Sequence, residues 1–191
     1  MTGEKFEFKT LSYKENVQRN KIDYYQWMSD EECIRQLDAK RNNFSLLLMN
    51  LASEGNTGNI IRSSNAFMAK EVIIYGHKHF NRVPCVGSEF YQHFRHVKFI
   101  EDLKDLANEY DLIVGLENRV GGKDLKNYQW DKNKNTLIVI GHEGLGIAPE
   151  ALEICDEFLE IQQFGSVRSL NVSVASAIVM NDYCNKTGGI E

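Results

Sequence analysis

Three short stretches of this 191-residue chain set polar side chains beside glycine in ways that suit ligand chemistry. In N-T-G-N-I-I-R (56–62), Asn56 or Thr57 can cap a helix, and Gly58 removes a side chain near the helix's positive end, where anions are favoured. Arg62 follows Asn56 by nearly two helical turns, so amide and guanidinium can share a face. The plain alternative is a capped helix carrying a surface arginine. In G-H-E-G-L-G (141–146), three glycines and the Glu143 carboxylate directly follow the apolar run TLIVI, as suits a backbone that must approach a ligand closely. It lacks the G-K-[ST] of a P-loop and does not match the G-x-G-x-x-G dinucleotide pattern. In I-Q-Q-F-G-S-V-R-S-L-N-V-S-V-A-S-A-I (161–178), a strand ends at Ile161 and a short loop carries Gly165. S-L-N-V-S then opens a helix that Ser169 or Asn171 can cap, and Ala175, Ser176 and Ala177 let another backbone pack close.

A different chemistry is suggested by residues 62–98, which hold six basic groups (Arg62, Lys70, Lys78, Arg82, Arg95, Lys98) against two acidic ones (Glu71, Glu89). Four of the five histidines (His77, His79, His93, His96) fall there too, among Phe80, Phe90, Tyr91 and Phe94. A basic segment with interleaved aromatics can hold a phosphate backbone and stack bases. A solvated loop whose aromatics belong to the core reads equally well. Beyond residue 98 the balance reverses, to 8 basic and 16 acidic groups. Clustered histidines raise the thought of metal, but H-E-x-x-H is missing and no carboxylate or cysteine lies at ligand spacing, so no metal ligand is assigned.

The elements that must position these residues follow from the apolar pattern. Residues 12–42 read as helical, with Val17, Ile22, Trp27, Ile34 and Leu37 recurring among polar positions. Six short apolar runs follow, at 44–49, 71–75, 97–100, 111–116, 136–140 and 157–161, and they are rich in Val, Ile, Leu and Phe as buried strands are. Helical stretches at 57–69, 101–110, 149–155 and 170–186 alternate with them. The expected fold is α/β, a mostly parallel sheet with helices on both faces and ligands at the carboxyl ends of its strands. The irregular segments 77–95 and 117–135 are long for connections, and loops of that size are usually functional.

Over the whole chain, 22 basic and 27 acidic side chains give a formal charge of −5, with 42% apolar residues. That is globular rather than disordered. The longest apolar runs fall far below the ~20 residues needed to span a bilayer, so no membrane partner is expected. The first ten residues, MTGEKFEFKT, alternate charge with phenylalanine and carry no apolar signal core. Cys33, Cys85, Cys155 and Cys184 lie far apart with no C-x-x-C pair, which points to neither a zinc ribbon nor a disulfide framework and fits a reducing cytoplasm.

In their order and spacing the three stretches resemble the motifs of the SpoU (TrmH-type) branch of the SPOUT RNA methyltransferases. The family's Asn-x-Gly-x-x-x-Arg is matched by Asn56, Gly58 and Arg62. Its Gly-x-Glu-x-x-Gly, placed after an apolar strand, is matched by Gly141, Glu143 and Gly146. Its Ile-Pro-Met-x-Gly-x-x-x-Ser-Leu-Asn-Val-Ser is matched by Ile161, Gly165, Ser169, Leu170, Asn171, Val172 and Ser173. Gln162 and Gln163 stand where Pro-Met is usual, and His142 stands where asparagine or serine is common. The resemblance covers roughly residues 44–186, making 44–191 a methyltransferase domain preceded by an N-terminal helical extension, 1–43.

The resemblance implies transfer of a methyl group from S-adenosylmethionine to a ribose 2′-hydroxyl of RNA, with transfer RNA the expected substrate and ribosomal RNA the second. It implies a deep C-terminal trefoil knot and a homodimer whose site forms across the interface. The cofactor would lie against Leu116, Gly141, Glu143, Gly144, Ile161, Ser169 and Leu170. Arg62 corresponds to the family's catalytic arginine; a guanidinium stays protonated, so its expected work is to grip a phosphate and stabilise the developing alkoxide rather than to act as a base. Asn56, Glu143, Ser169 and Asn171 would position Arg62, the ribose and the loop, although Glu143 could equally be structural. Lys78, Arg82, Arg95 and Arg168, with Arg62, are the expected RNA contacts. A non-catalytic RNA-binding protein that keeps the fold is the competing reading, and the intact Arg62, Glu143, Ser169 and Asn171 weigh against it. A nucleotide-dependent enzyme fails for want of a phosphate fingerprint.

Overall fold

In the computed structural model, the structure describes residues 4–5 and 20–188. The apolar runs form the strands of one sheet: β2 (Phe44–Met49), β3 (Val72–Tyr75), β4 (Phe94–Val97), β5 (Leu112–Leu116), β7 (Thr136–Ile140) and β8 (Glu157–Glu160). Two short strands, β1 (Glu4–Lys5) and β6 (Lys123–Asp124), complete it in the order β1-β4-β3-β2-β7-β5-β8-β6. All neighbouring strands from β4 to β6 run parallel, and among the described residues only β1 pairs antiparallel, on β4.

The central strands are buried almost throughout, and apolar but for Ser45, Thr136 and Gly115, because both faces are covered. Leu46 and Leu48 of β2 and Ile138 and Ile140 of β7 face helices α2 (Glu54–Ala66) and α5 (Val172–Thr187), meeting Ile60, Ile61, Val179, Met180 and Tyr183. The alternate residues Leu47, Leu137 and Val139 face α3 (Asp102–Ala107) and α4 (Pro149–Leu152), against Leu103, Leu106 and Ala151. Each such fully buried aliphatic side chain contributes about 1.5–3 kcal/mol.

The expected strand at 97–100 is displaced to 94–97. Strand β4 lies near the sheet's edge and is only half-buried, so it tolerates Arg95 and His96 once they are partnered. Arg95 donates to Glu109 at 2.7 Å and to Glu71 at 2.8 Å, and a His96 ring nitrogen sits 2.7 Å from the Gly76 carbonyl. Apolar Phe99 is left 56% exposed beyond it.

The helix expected over 12–42 is α1 (Asp30–Asp38), started by Ser29, whose hydroxyl accepts the Glu32 amide at 3.2 Å. Before it a 3₁₀ turn spans Asp23–Tyr25; residues 12–19 lie outside the described residues. Cys33 and Leu37 pack on Tyr91, and the Arg41 guanidinium donates to the carbonyls of Tyr91 at 2.7 Å and Ala69 at 3.0 Å. The segment 77–93 is therefore held by α1 through Tyr91, and it also packs on α2. Strands β2, β3 and β4 step to one side of β7 and β5, β8 and β6 to the other, which leaves a crevice at the carboxyl ends of the strands.

Candidate active site

A cleft of about 460 Å³ opens where β7, β5 and β8 end, within the ~300–1,000 Å³ range of small-molecule sites. Leu116, Ile140, Ile161 and Leu170 form apolar walls, and Gly141, Glu143 and Ser169 bring backbone and polar groups between them. Residues from two of the three sequence stretches thus meet in one place, and the third stretch, 56–62, braces it from behind.

Glycine is required at two points of the rim. A Cβ on Gly141 would stand 2.6 Å from the Gly146 carbonyl carbon and 2.7 Å from the Ile147 nitrogen, so the strand end and the returning turn touch backbone to backbone. Gly146 has φ +76°, and the Glu117 carboxylate fills the space where its side chain would be. Glu117 accepts the Arg119 amide at 3.1 Å and the Ile147 amide at 3.3 Å, while Asn118 Oδ1 accepts the Ile161 amide at 3.2 Å. The end of β5 therefore ties the ends of β7 and β8 together. Glu117, Asn118 and Arg119 all line the cleft and were not singled out from sequence; the available signal was polar residues directly after a buried strand, the same signal that marks 141–146.

Glu143 turns away from acid–base work. Its carboxylate accepts the Ala52 amide at 2.8 Å, the Ser53 amide at 3.2 Å and the Asn56 side-chain amide at 2.8 Å. Helix α2 starts at Glu54 rather than 57, and its N-cap Ser53 makes no side-chain bond, so Glu143 caps the helix from a distant loop. Asn56, expected as a cap, lies inside the first turn and relays the contact: its Oδ1 accepts Asn171 Nδ2 at 3.1 Å. Asn171 does cap α5, accepting the Ser173 amide at 2.9 Å and hydroxyl at 2.7 Å. Burial opposes ionisation of Glu143, but the bonds from Asn56 and from backbone amides outweigh it and hold the carboxyl below the ordinary range.

Gly58 serves packing, not an anion. It is buried, and a Cβ there would meet the Asn81 carbonyl oxygen at 2.6 Å, so the glycine lets segment 77–93 lie directly on α2.

Arg62 does not line the cleft. It is exposed in a neighbouring groove with Ser63, Ser173, Val174, Ile178 and Asn181. The first turn of α5 divides the two: Val172 and Ala175 face the cleft, Ser173 and Val174 the groove. Of the other expected residues, Arg168 lies in the cleft, and Gly144 sits on the exposed turn behind it without lining it. Arg82 is exposed but pairs with Glu89 at 3.1 Å, and Lys78 is half-buried. Arg95 is a correction: its guanidinium, 18% exposed, is neutralised between Glu71 and Glu109 and is not available to phosphate. The histidines are dispersed, His93 pairing with Asp38 at 2.7 Å. Among the described residues no group of three or more His, Cys, Asp or Glu could hold a metal ion. All four cysteines are free, and burial pushes the thiols of Cys85 and Cys155 up to about 12, which removes both as nucleophiles.

Comparison with known proteins matches this geometry. A yeast (Saccharomyces cerevisiae) tRNA (guanosine(18)-2′-O)-methyltransferase is 37% identical over 82 residues, covering 42% of this chain and 6% of that protein. The Escherichia coli 23S rRNA (guanosine-2′-O-)-methyltransferase RlmB is 31% identical over 143 residues, covering 72% of this chain and 58% of its own. The crystal structure of the SpoU methyltransferase AviRb from Streptomyces viridochromogenes, in complex with AdoMet, superposes with a TM-score of 0.69 at 25% identity, covering 79% of this chain and 60% of that one. The chain spans about half the length of the bacterial relatives it matches, and a small part of the yeast one. The profile of the SpoU rRNA methylase family matches residues 43–181, and with its strand order and cleft this chain belongs to that family.

Proposed function

We propose that this chain is an S-adenosylmethionine-dependent RNA 2′-O-ribose methyltransferase. The observation that carries the reading is the convergence of Leu116, Gly141, Ile161, Ser169 and Leu170 on one cleft at the ends of three parallel strands. Its apolar walls and close-set backbone suit an adenosine and an aliphatic methionine chain. Leu116, Ile161 and Leu170 would hold the cofactor, with Gly141, Gly144 and Glu143 shaping the turn beside it. When bound, the sulfonium supplies a methyl group that is already electrophilic, so neither metal nor covalent intermediate is required. The protein's part is to align a ribose hydroxyl with that carbon and to relieve charge on its oxygen.

Arg62 takes the second task, gripping an adjacent phosphate and stabilising the alkoxide. The chain Glu143–Asn56–Asn171 fixes the starts of α2 and α5, the two helices whose side chains line the Arg62 groove, and Ser169 faces the cleft. Because Arg62 is parted from the cleft by one turn of α5 and lies beside exposed Val174 and Ile178, we read the complete site as formed across a homodimer interface. The chain's return from β8, past β5 and β7, to pack α5 on α2 supports threading as a deep trefoil knot.

Transfer RNA is the proposed substrate, supported by the yeast relative. Lys78, Arg82 and Arg168, with Arg62, are its proposed contacts. Among the described residues no helix is long and apolar enough to cross a membrane, and four free thiols suit a reducing cytoplasm. The test is incubation with methyl-labelled S-adenosylmethionine and purified transfer or ribosomal RNA, followed by alkaline hydrolysis, which spares 2′-O-methylated linkages. Label in alkali-resistant dinucleotides from transfer RNA is expected. Label only in ribosomal RNA would move the substrate, and no label with either would favour the RNA-binding alternative.

A further inference from the structure

The turn 142–146, which forms one edge of the cleft, is closed by reciprocal backbone bonds: the His142 amide donates to Gly146 at 2.9 Å, and the Gly146 amide donates back at 2.8 Å. Its tip has little else to hold it. Gly144 and Leu145 are exposed, Leu145 to 80%, and Arg119 reaches the Gly144 carbonyl only at 3.4 Å. What braces the tip is the His142 ring, whose Nδ1 accepts the amides of Gly144 at 3.0 Å and Leu145 at 3.3 Å. An imidazole nitrogen that accepts must keep its lone pair, so this contact exists only while Nδ1 carries no proton.

We propose that His142 is a positioning residue for the methyl-donor cleft: its neutral ring braces the 142–146 turn, and protonation at Nδ1 releases the tip and weakens ligand binding. The inference rests on the reading of the cleft as a cofactor site. On protonation Nδ1 becomes a donor facing two N–H donors, and the brace turns into a repulsion. The charged groups that line the same cleft are Glu143, next in the chain, Glu117 and Arg119 after β5, and Arg168. Glu143 is held ionised by its own donors, so it does not titrate in the range where histidine does. Asparagine at 142 would offer Oδ1 to the same two amides without titrating, and alanine would offer nothing.

Two measurements on the whole chain test this. NMR of the ligand-free protein follows the Gly144 and Leu145 amides from pH 7.5 to 5.5, and calorimetry measures S-adenosylhomocysteine affinity at both ends. Over that range the two amides should shift in step with the His142 ring, and affinity should fall about tenfold. His142→Asn should flatten both curves with affinity near the wild-type value at pH 7.5, and His142→Ala should bind weakly throughout. Amides that ignore the ring's titration, an affinity that is flat with pH, or an Asn variant that falls as steeply as wild type would each overturn the proposal. No binding by wild type at pH 7.5 would sink the cofactor reading itself, and amides that still titrate with the ring would uphold the brace apart from it.

Discussion

Glu143 acts through what it accepts rather than through any proton it could abstract. With three donors on its carboxylate, the group read as either positioning or structural is the cap of α2. Its folded-state proton affinity is lowered, so the stabilisation is fully present above the unfolded carboxyl's value of about 4.3 and is lost as pH falls through the lower folded value. Glu143→Gln keeps one acceptor oxygen but turns an NH₂ group toward backbone donors; it should cost about 1 kcal/mol at pH 7. Urea unfolding of both proteins at pH 7 and pH 3 checks this, and the gap between them should narrow in acid. Motif spacing brought Asn56, Glu143 and Asn171 to notice, and all three join one hydrogen-bonded chain. What spacing could not supply was the direction of each contact. A shared face for Asn56 and Arg62 was the expectation, but six residues turn a helix through about 600°, which sets the two about 120° apart, and spacing does not say that the first turn of α5 will stand between Arg62 and the cleft.

Among the elements, β2, β7 and β5 were legible because continuous apolar runs of five or six residues have one stable use in a covered parallel sheet. Strand β4 was misplaced by three residues because its polarity is resolved by tertiary ion pairs that no local pattern contains. The contact between segment 77–93 and α2 was likewise invisible, and Gly58 is its mark. Alanine there would favour the helix by roughly 0.5–1 kcal/mol, yet its Cβ would press on a backbone carbonyl that cannot rotate away. Gly58→Ala should therefore lower stability by about 1–3 kcal/mol in chemical denaturation and displace Asn81. The basic segment itself divides by partner. Lys78→Ala with Arg82→Ala should weaken RNA binding and reduce its salt slope by roughly one to two, as loss of phosphate contacts does. Arg95→Ala should leave that slope unchanged and instead cost about 2 kcal/mol of stability, since Glu71 and Tyr110 lose their cation. RNA titrations between 50 and 200 mM salt distinguish the two outcomes.

At the scale of the whole molecule, an acidic chain of net charge −5 must present its basic groups on one side to hold RNA, and a two-fold partner doubles that side. The groove that carries Arg62 has the composition of such an interface: Val174 and Ile178 are 48% and 37% exposed, set among serine and asparagine. Sedimentation should give twice the 21.9 kDa of one chain, and Ile178→Glu, which buries a charge in that contact, should halve it. Mass alone does not establish a shared site, but complementation does. Arg62→Ala removes the groove's guanidinium and leaves the cleft whole, and it should lower turnover roughly 100-fold or more. Leu170→Trp fills the cleft and leaves Arg62 whole. Each homodimer is then inactive for a different reason. If Arg62 serves the cleft of the partner, co-expressed chains pair at random, half of the dimers are mixed, and each mixed dimer holds one complete site, so about a quarter of wild-type activity returns. If Arg62 serves its own cleft, no dimer contains a complete site and activity stays at the level of the single variants. Single-turnover methylation of one defined transfer RNA by the co-purified mixture reads the difference directly.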